Sequence, residues 1–176
     1  MSLKHAILVL LETEPGSGYD LLKRFKERLG YFWNASHQQI YLQLKNMNQA
    51  GLLQCEQQPQ VGKPDRKVYK ITHSGHEALL EWIESPAKVS RVNDALLVKM
   101  YAGHLVDKHI IKQEILQHKE VHLAMLNTFL TLQEKYQAME SEEKAAYALP
   151  FLTLRKGILG EQAWLDWAVE VEQFLS

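Results

Sequence analysis

Ser36, His37, Gln38, Gln39, Tyr41 and Lys45 crowd one short stretch of the chain, and Lys63, Arg66 and Lys67 follow after a glycine- and proline-bearing break. These side chains share one chemistry. Glutamine amides match the paired donor and acceptor of an adenine edge, hydroxyls and a phenol bond to phosphate oxygens, and lysine and arginine neutralise phosphates. The set suits duplex DNA, provided that the first group occupies a free helix face and the second a neighbouring projection. Two histidine pairs invite a metal instead: His118 and His122 stand at i, i+4, and His73 and His76 at i, i+3. The segment His118-Lys119-Glu120-Val121-His122 has its carboxylate in the wrong place for a metalloprotease, and no third ligand is evident, so all four are read as surface or interface histidines. The chain has no phosphate-binding glycine loop, no nucleophile elbow and no Cys/His pair with a supporting group. Neither an enzyme nor a cofactor is expected.

The elements that must position these residues are legible from their boundaries. Ser36 and Gln39 make a capping box, Ala35 and Ile40 are placed for a hydrophobic staple, and Gly51 suits the left-handed residue that ends the helix. Within it Ile40, Leu44 and Met47 commit one face to a core, which leaves His37, Gln38, Tyr41, Lys45 and Asn48 on the neighbouring face. Upstream, Leu3 to Leu11 reads as a first helix, stopped by Glu14-Pro15-Gly16. A second helix runs from Tyr19 to about Leu29, opened by Ser17 with Asp20 as an acidic approximation to a capping box, and Tyr19, Leu22, Phe25 and Leu29 form its expected buried stripe. Downstream, the β-like segments Leu52 to Gln57 and Arg66 to Ile71 flank a loop with Pro59, Gly62 and Pro64, and Thr72 caps a fourth helix reaching roughly Ser85. Three helices followed by a hairpin with a basic loop is the order of a winged helix-turn-helix, in which a helix enters the major groove and the wing meets phosphates beside it.

The break near Ser85-Pro86-Ala87-Lys88-Val89-Ser90 divides the chain into residues 1–85, a winged-helix DNA-binding domain, and residues 86–176, a helical dimerisation domain. The fold class is mainly α. In the second half, helices are expected from about Asn93 to Gly103, from Asp107 to Met139, and from Pro150 to Phe174. The long one carries Ile111, Ile115, Leu126, Phe129, Tyr136 and Met139 at 3-and-4 spacing, and the last one Phe151, Leu154, Ile158, Leu165, Ala168 and Leu175. With few companions in one chain, these stripes are expected to be buried against a second copy.

Composition agrees. With 46% hydrophobic and 23% charged residues the chain is globular, and its net charge of −1 excludes a protein that coats nucleic acid through bulk charge, so contact must use a local patch. No apolar run spans a bilayer, and the opening segment reaches acidic and turn residues too early for a signal peptide, so no membrane partner and a cytoplasmic location are expected. Cys55, the single cysteine, is read as a small structural side chain.

The string Ser36-x-x-Gln39-Ile40-Tyr41-x-x-Leu44, then Gly51-Leu52-Leu53, then Gly62-Lys63-Pro64-x-Arg66-Lys67-Val68-Tyr69-x-Ile71-Thr72-x-x-Gly75, preceded by Gly18-Tyr19-Asp20-Leu21, closely resembles the signature of the PadR family. It covers essentially the whole N-terminal half. Leu42 departs from the pattern, since many relatives have proline after the tyrosine. The length of the second half resembles the longer branch of the family, that of phenolic-acid-responsive and AphA-like regulators. The resemblance implies a dimeric transcription regulator that binds double-stranded DNA with the third helix in the major groove. It also implies a candidate small aromatic effector, for which Tyr19, Phe32, Trp33, Tyr101 and Tyr136 are available, although such aromatics also serve as plain core. A homodimer through the C-terminal helices sets two recognition helices one DNA turn apart on a palindromic operator. If Lys45, Lys63, Arg66 and Lys67 contact phosphates in both subunits, about eight phosphates are neutralised and the log-affinity against log-salt slope is near −7. The alternative reading is a winged-helix protein-interaction module, which should expose apolar residues on the wing.

Overall fold

The computed structural model describes residues 3–31, 33, 35–59, 66–89 and 93–176. Its elements are α1 (Leu3–Thr13), β1 (Gly16–Ser17), α2 (Gly18–Arg24) continued by a π turn (Phe25–Leu29), α3 (His37–Gln49), β2 (Leu53–Gln58), β3 (Arg66–Ile71), α4 (His73–Glu84), α5 (Ala95–Tyr101), α6 (Lys108–Gln137), α7 (Ser141–Ala146) and α8 (Ala148–Phe174). They fall into two compact units, Met1–Ser90 and Arg91–Ser176.

In the first unit, α1, α2, α3 and α4 enclose one core beside a small antiparallel sheet of order β1-β3-β2. Ile7, Leu8 and Leu11 of α1 meet Leu21 and Phe25 of α2 and its π turn, Ile40, Leu44 and Met47 of α3, and Leu53 of β2. Ile40 and Leu44 are fully buried, and each such side chain contributes about 1.5–3 kcal/mol of apolar transfer. The face that the 3-and-4 spacing assigns to the core is therefore the face that is buried.

Helix starts are decided by capping. Ser17 and Ser36 each accept from the backbone N–H three residues on, while Asp20 and Gln39 accept from the backbone N–H of Ser17 and Ser36 in return. Thr72 accepts from the Gly75 N–H and donates to the Gly51 carbonyl at 2.7 Å, tying the start of α4 to the end of α3. Gly51, at φ +74°, takes the left-handed turn that ends α3.

Three expectations differ from the structure. Tyr19 is 70% exposed, and Leu21 takes its place in the core beside Phe25, because the side of α2 turned towards α1 and α3 is the one that carries Leu21. Gly16–Ser17 is a strand as well as a turn, pairing with Tyr69 and Val68 of β3. The sequence pattern also passes over α7, a single short helix between the two long ones.

In the second unit α6 and α8 run antiparallel. Lys119 reaches Glu172, His122 reaches Glu161, Phe129 lies against Gly157, and Tyr136 stacks on Phe151 at 3.9 Å, so numbers rise along one helix as they fall along the other. Part of the long stripe, expected to be buried against a second copy, is thus covered within the chain itself. Ile111 and Ile115 pack with Ala168 and Val171 of the same chain, because the α7 segment returns the chain onto α6. Leu126, Tyr136 and Met139 are only half-buried. Outside this pairing Val98, Tyr101, Leu105, Ile110, Leu149 and Leu152 are exposed. Among the described residues no helix is long and apolar enough to cross a membrane.

Candidate nucleic-acid interface

The site is built on α3. At 100° per residue, the side chains opposite buried Ile40, Leu44 and Met47 are Gln38, Leu42, Lys45 and Gln49, and all four are exposed. His37 and Tyr41 lie on the flank towards α2, with their rings 4.4 Å apart.

Ser36 and Gln39 are occupied by the cap. The Ser36 backbone N–H donates to Gln39 Oε1 at 2.8 Å, and the Gln39 N–H donates to Ser36 Oγ at 3.2 Å. Gln39 keeps its NH2 donors and Ser36 its hydroxyl proton for an outside partner. Gln38 is exposed and its side chain makes no hydrogen bond with another described residue, which leaves its amide available to an adenine edge.

Tyr41 is 40% exposed, and its ring rests on Gly18 at the start of α2. A Cβ at Gly18 would come within 2.6 Å of that ring, so any other residue there displaces the ring. The phenol of Tyr69 in β3 is pushed above its ordinary range by burial first, and then by Cys55, its cross-strand neighbour in β2, and by Tyr41. It stays neutral and marks the point where α3, α2 and β3 meet.

Arg66 opens β3 opposite Gln58 and forms an ion pair with Asp20, the third helical residue of the α2 capping box. Burial pushes the Asp20 carboxyl upward, but the Ser17 backbone N–H, the Ser17 hydroxyl and Arg66 outweigh it and hold the group below the usual carboxylate range. The pair fastens the foot of the wing to α2. Arg66 is thus already committed to a carboxylate, which the composition of the wing gave no reason to expect. Lys45 and Lys67 are exposed and make no ion pair among the described residues. Lys63 lies outside the described residues.

The exposed side chains of the two wing strands are Gln54, Glu56, Gln57, Gln58, Arg66, Lys67 and Lys70. None of these described side chains is apolar. The sequence reading missed Gly18 and Asp20 as parts of the site. Their signal was the Gly18-Tyr19-Asp20-Leu21 string, but nothing local links it to Tyr41 or Arg66.

The histidine pairs have other occupations. His122 bonds Glu161 at 2.5 Å and stacks on Trp164 at 3.7 Å, His76 bonds Glu12 at 3.0 Å, and His73 pairs with Glu77 at 3.3 Å. Among the described residues no three metal-ligating side chains converge. Of the aromatics named as effector candidates, Tyr19 and Tyr101 are exposed, Trp33 packs on the first core, Tyr136 stacks on Phe151, and Phe32 lies outside the described residues.

Residues 7–81 match the model of the transcriptional regulator PadR-like family, and residues 92–176 match the virulence activator alpha C-terminal model. The chain is 33% identical over 185 residues to the probable transcriptional regulator Rv1176c of Mycobacterium tuberculosis, covering 99% of this chain and 98% of that one. It is 31% identical over 170 residues to the negative transcriptional regulator PadR of Bacillus subtilis, covering 94% of this chain and 92% of that one. The crystal structure of that protein in complex with operator DNA superimposes with a TM-score of 0.84, at 28% identity and 99% coverage of both chains. Its complex with p-coumaric acid gives a TM-score of 0.78, at 28% identity and 98% coverage of both. The virulence activator AphA of Vibrio cholerae gives a TM-score of 0.78, at 31% identity, covering 99% of this chain and 98% of that one. The winged-helix fold with a helical C-terminal region is common to these neighbours.

Proposed function

The chain belongs to the transcriptional regulator PadR-like family, whose members are regulators rather than enzymes, and from that membership we propose that it binds an operator sequence-specifically as a homodimer. The observation that carries the reading is the exposed outer face of α3, polar except for Leu42, beside a strand whose exposed side chains are cationic. With the N-terminal half of α3 in the major groove, Gln38 reads base edges, Ser36, His37, Gln39 and Tyr41 bond to the backbone or to base edges, and Lys45, Lys63 and Lys67 meet phosphates. Arg66 reaches a phosphate only by leaving Asp20.

The homodimer rests on the second unit, where apolar side chains such as Val98, Leu149 and Leu152 remain exposed after α6 and α8 have paired. A two-fold partner sets the two recognition helices about 34 Å apart, so the operator is palindromic. A cytoplasmic protein that works on DNA needs no membrane element. Because the related PadR of Bacillus subtilis has been crystallised with p-coumaric acid, a small aromatic acid is the effector class to try first.

Selection of bound duplexes from a random pool tests the reading. The expected product is an inverted repeat with half-sites about one helical turn apart. Failure to enrich any sequence refutes it, and a folded monomer at micromolar concentration in sedimentation removes the dimer. Addition of p-coumaric acid to the selected complex should release the duplex if the effector reading is right.

A further inference from the structure

On α3 one apolar side chain stands where only polar ones are needed. Leu42 is 61% exposed and lies one turn after Gln38 on the stripe farthest from the core. Leaving a leucine in water gains the fold nothing. Tyr41 beside it is explained by its packing on Gly18. Leu42 borders a shallow groove with Leu3, Trp33 and Ala35, yet most of its surface stays uncovered there.

We propose that Leu42 is a specificity-determining residue that reads the 5-methyl group of a thymine, with Gln38 reading an adenine close by; this rests on the DNA-binding reading above. In the major groove, thymine alone offers an apolar group, whereas guanine presents two acceptors, cytosine a donor and adenine one of each. A leucine laid against any of those polar edges strips them of water and returns no hydrogen bond. Leu42 therefore favours thymine and penalises the other bases. Gln38 supplies the adenine half through its uncommitted amide. The two residues are four positions apart, about 6 Å along the helix axis, so the thymine and the adenine lie within about two base-pair steps of 3.4 Å each. The stripe continues with Lys45, assigned above to a phosphate, and Gln49, and carries no arginine for the bidentate guanine contact. A half-site with adjacent A·T pairs under the first half of α3 follows.

The test uses the full-length protein and its own selected duplex, with each thymine of a half-site replaced in turn by deoxyuridine, which removes only the methyl group. Wild type should lose about fourfold in affinity at one thymine position per half-site, the factor of one methyl group buried from water. Leu42→Ala should bind the thymine and uridine duplexes equally well. Because Leu42 is exposed, that variant folds, and Gln38→Ala should keep the uridine effect while relaxing the neighbouring adenine. The proposal is overturned if no uridine substitution weakens wild type, if Leu42→Ala shows the same loss as wild type, or if the selected half-site holds no thymine. A wild-type protein that enriches no duplex at all refutes the DNA-binding reading itself.

Discussion

Asp20 and Arg66 offer a measurement with two clearly different outcomes. Arg66 cannot hold Asp20 and neutralise a phosphate at full strength together, so the salt dependence of DNA binding counts which it does. If Arg66 stays on Asp20, three cations per subunit, Lys45, Lys63 and Lys67, meet phosphates, and a dimer neutralises about six; the slope of log affinity against log salt is then about −5. Asp20→Asn removes the competing charge but keeps a side-chain oxygen for the Ser17 N–H. It frees Arg66, raises the count to about eight and steepens the slope to about −7. From about 50 to about 200 mM salt, wild type then loses roughly 2,000-fold in affinity and the variant roughly 20,000-fold. The pair is partly exposed, at 41% for Arg66 and 26% for Asp20, so its loss costs the fold less than about 1 kcal/mol. The assay is a salt titration of binding to the selected duplex for wild type, Asp20→Asn, Arg66→Ala and the double variant. Arg66→Ala should leave the wild-type slope unchanged while flattening that of Asp20→Asn. If Arg66→Ala alone flattens the wild-type slope by about 2, Arg66 already sits on a phosphate and the ion pair does not survive in the complex.

Other substitutions probe the supports of the site. Gly18→Ala places a Cβ within 2.6 Å of the Tyr41 ring; the ring can swing outward, so the melting temperature should fall only by the equivalent of about 1 kcal/mol, while duplex affinity falls with the loss of Tyr41's position. Gly157→Ala meets the Phe129 ring at 2.9 Å in the buried contact between α6 and α8, and chemical denaturation should show a loss of about 1–3 kcal/mol. The Asp20 carboxyl lies below its ordinary value when folded. Its contribution is therefore complete above the unfolded value of about 4 and disappears as the pH falls through the folded one. Wild type and Asp20→Asn should accordingly differ by a constant amount from pH 7 down to about 5 and converge in stability below about 4, which circular dichroism during acid titration will show.

Much of the first unit was legible because its signals are local. A capping box spans four consecutive residues, and the Ser36–Gln39 box was readable before any fold was known, as was the core face of Ile40, Leu44 and Met47. The interval from Arg66 to Ile71 read as a strand because Val68, Tyr69 and Ile71 are side chains that favour strands. The Tyr19 error came from the same local logic. A stripe drawn through Tyr19, Leu22 and Phe25 fits helical spacing as well as one through Leu21 and Phe25, and only the position of α1 and α3 makes Leu21 the inward side chain.

Residue types and short spacings thus determined that this chain carries a capped, half-polar helix followed by a basic hairpin, because those features depend on neighbours within one or two turns. Tertiary structure alone decided what stands around that helix. Asp20 and Arg66 are 46 positions apart, Tyr41 rests on a glycine of another helix, and α6 packs along α8 of the same chain. Such contacts are set by how whole elements pack, and the distance between two residues in the chain carries no record of it.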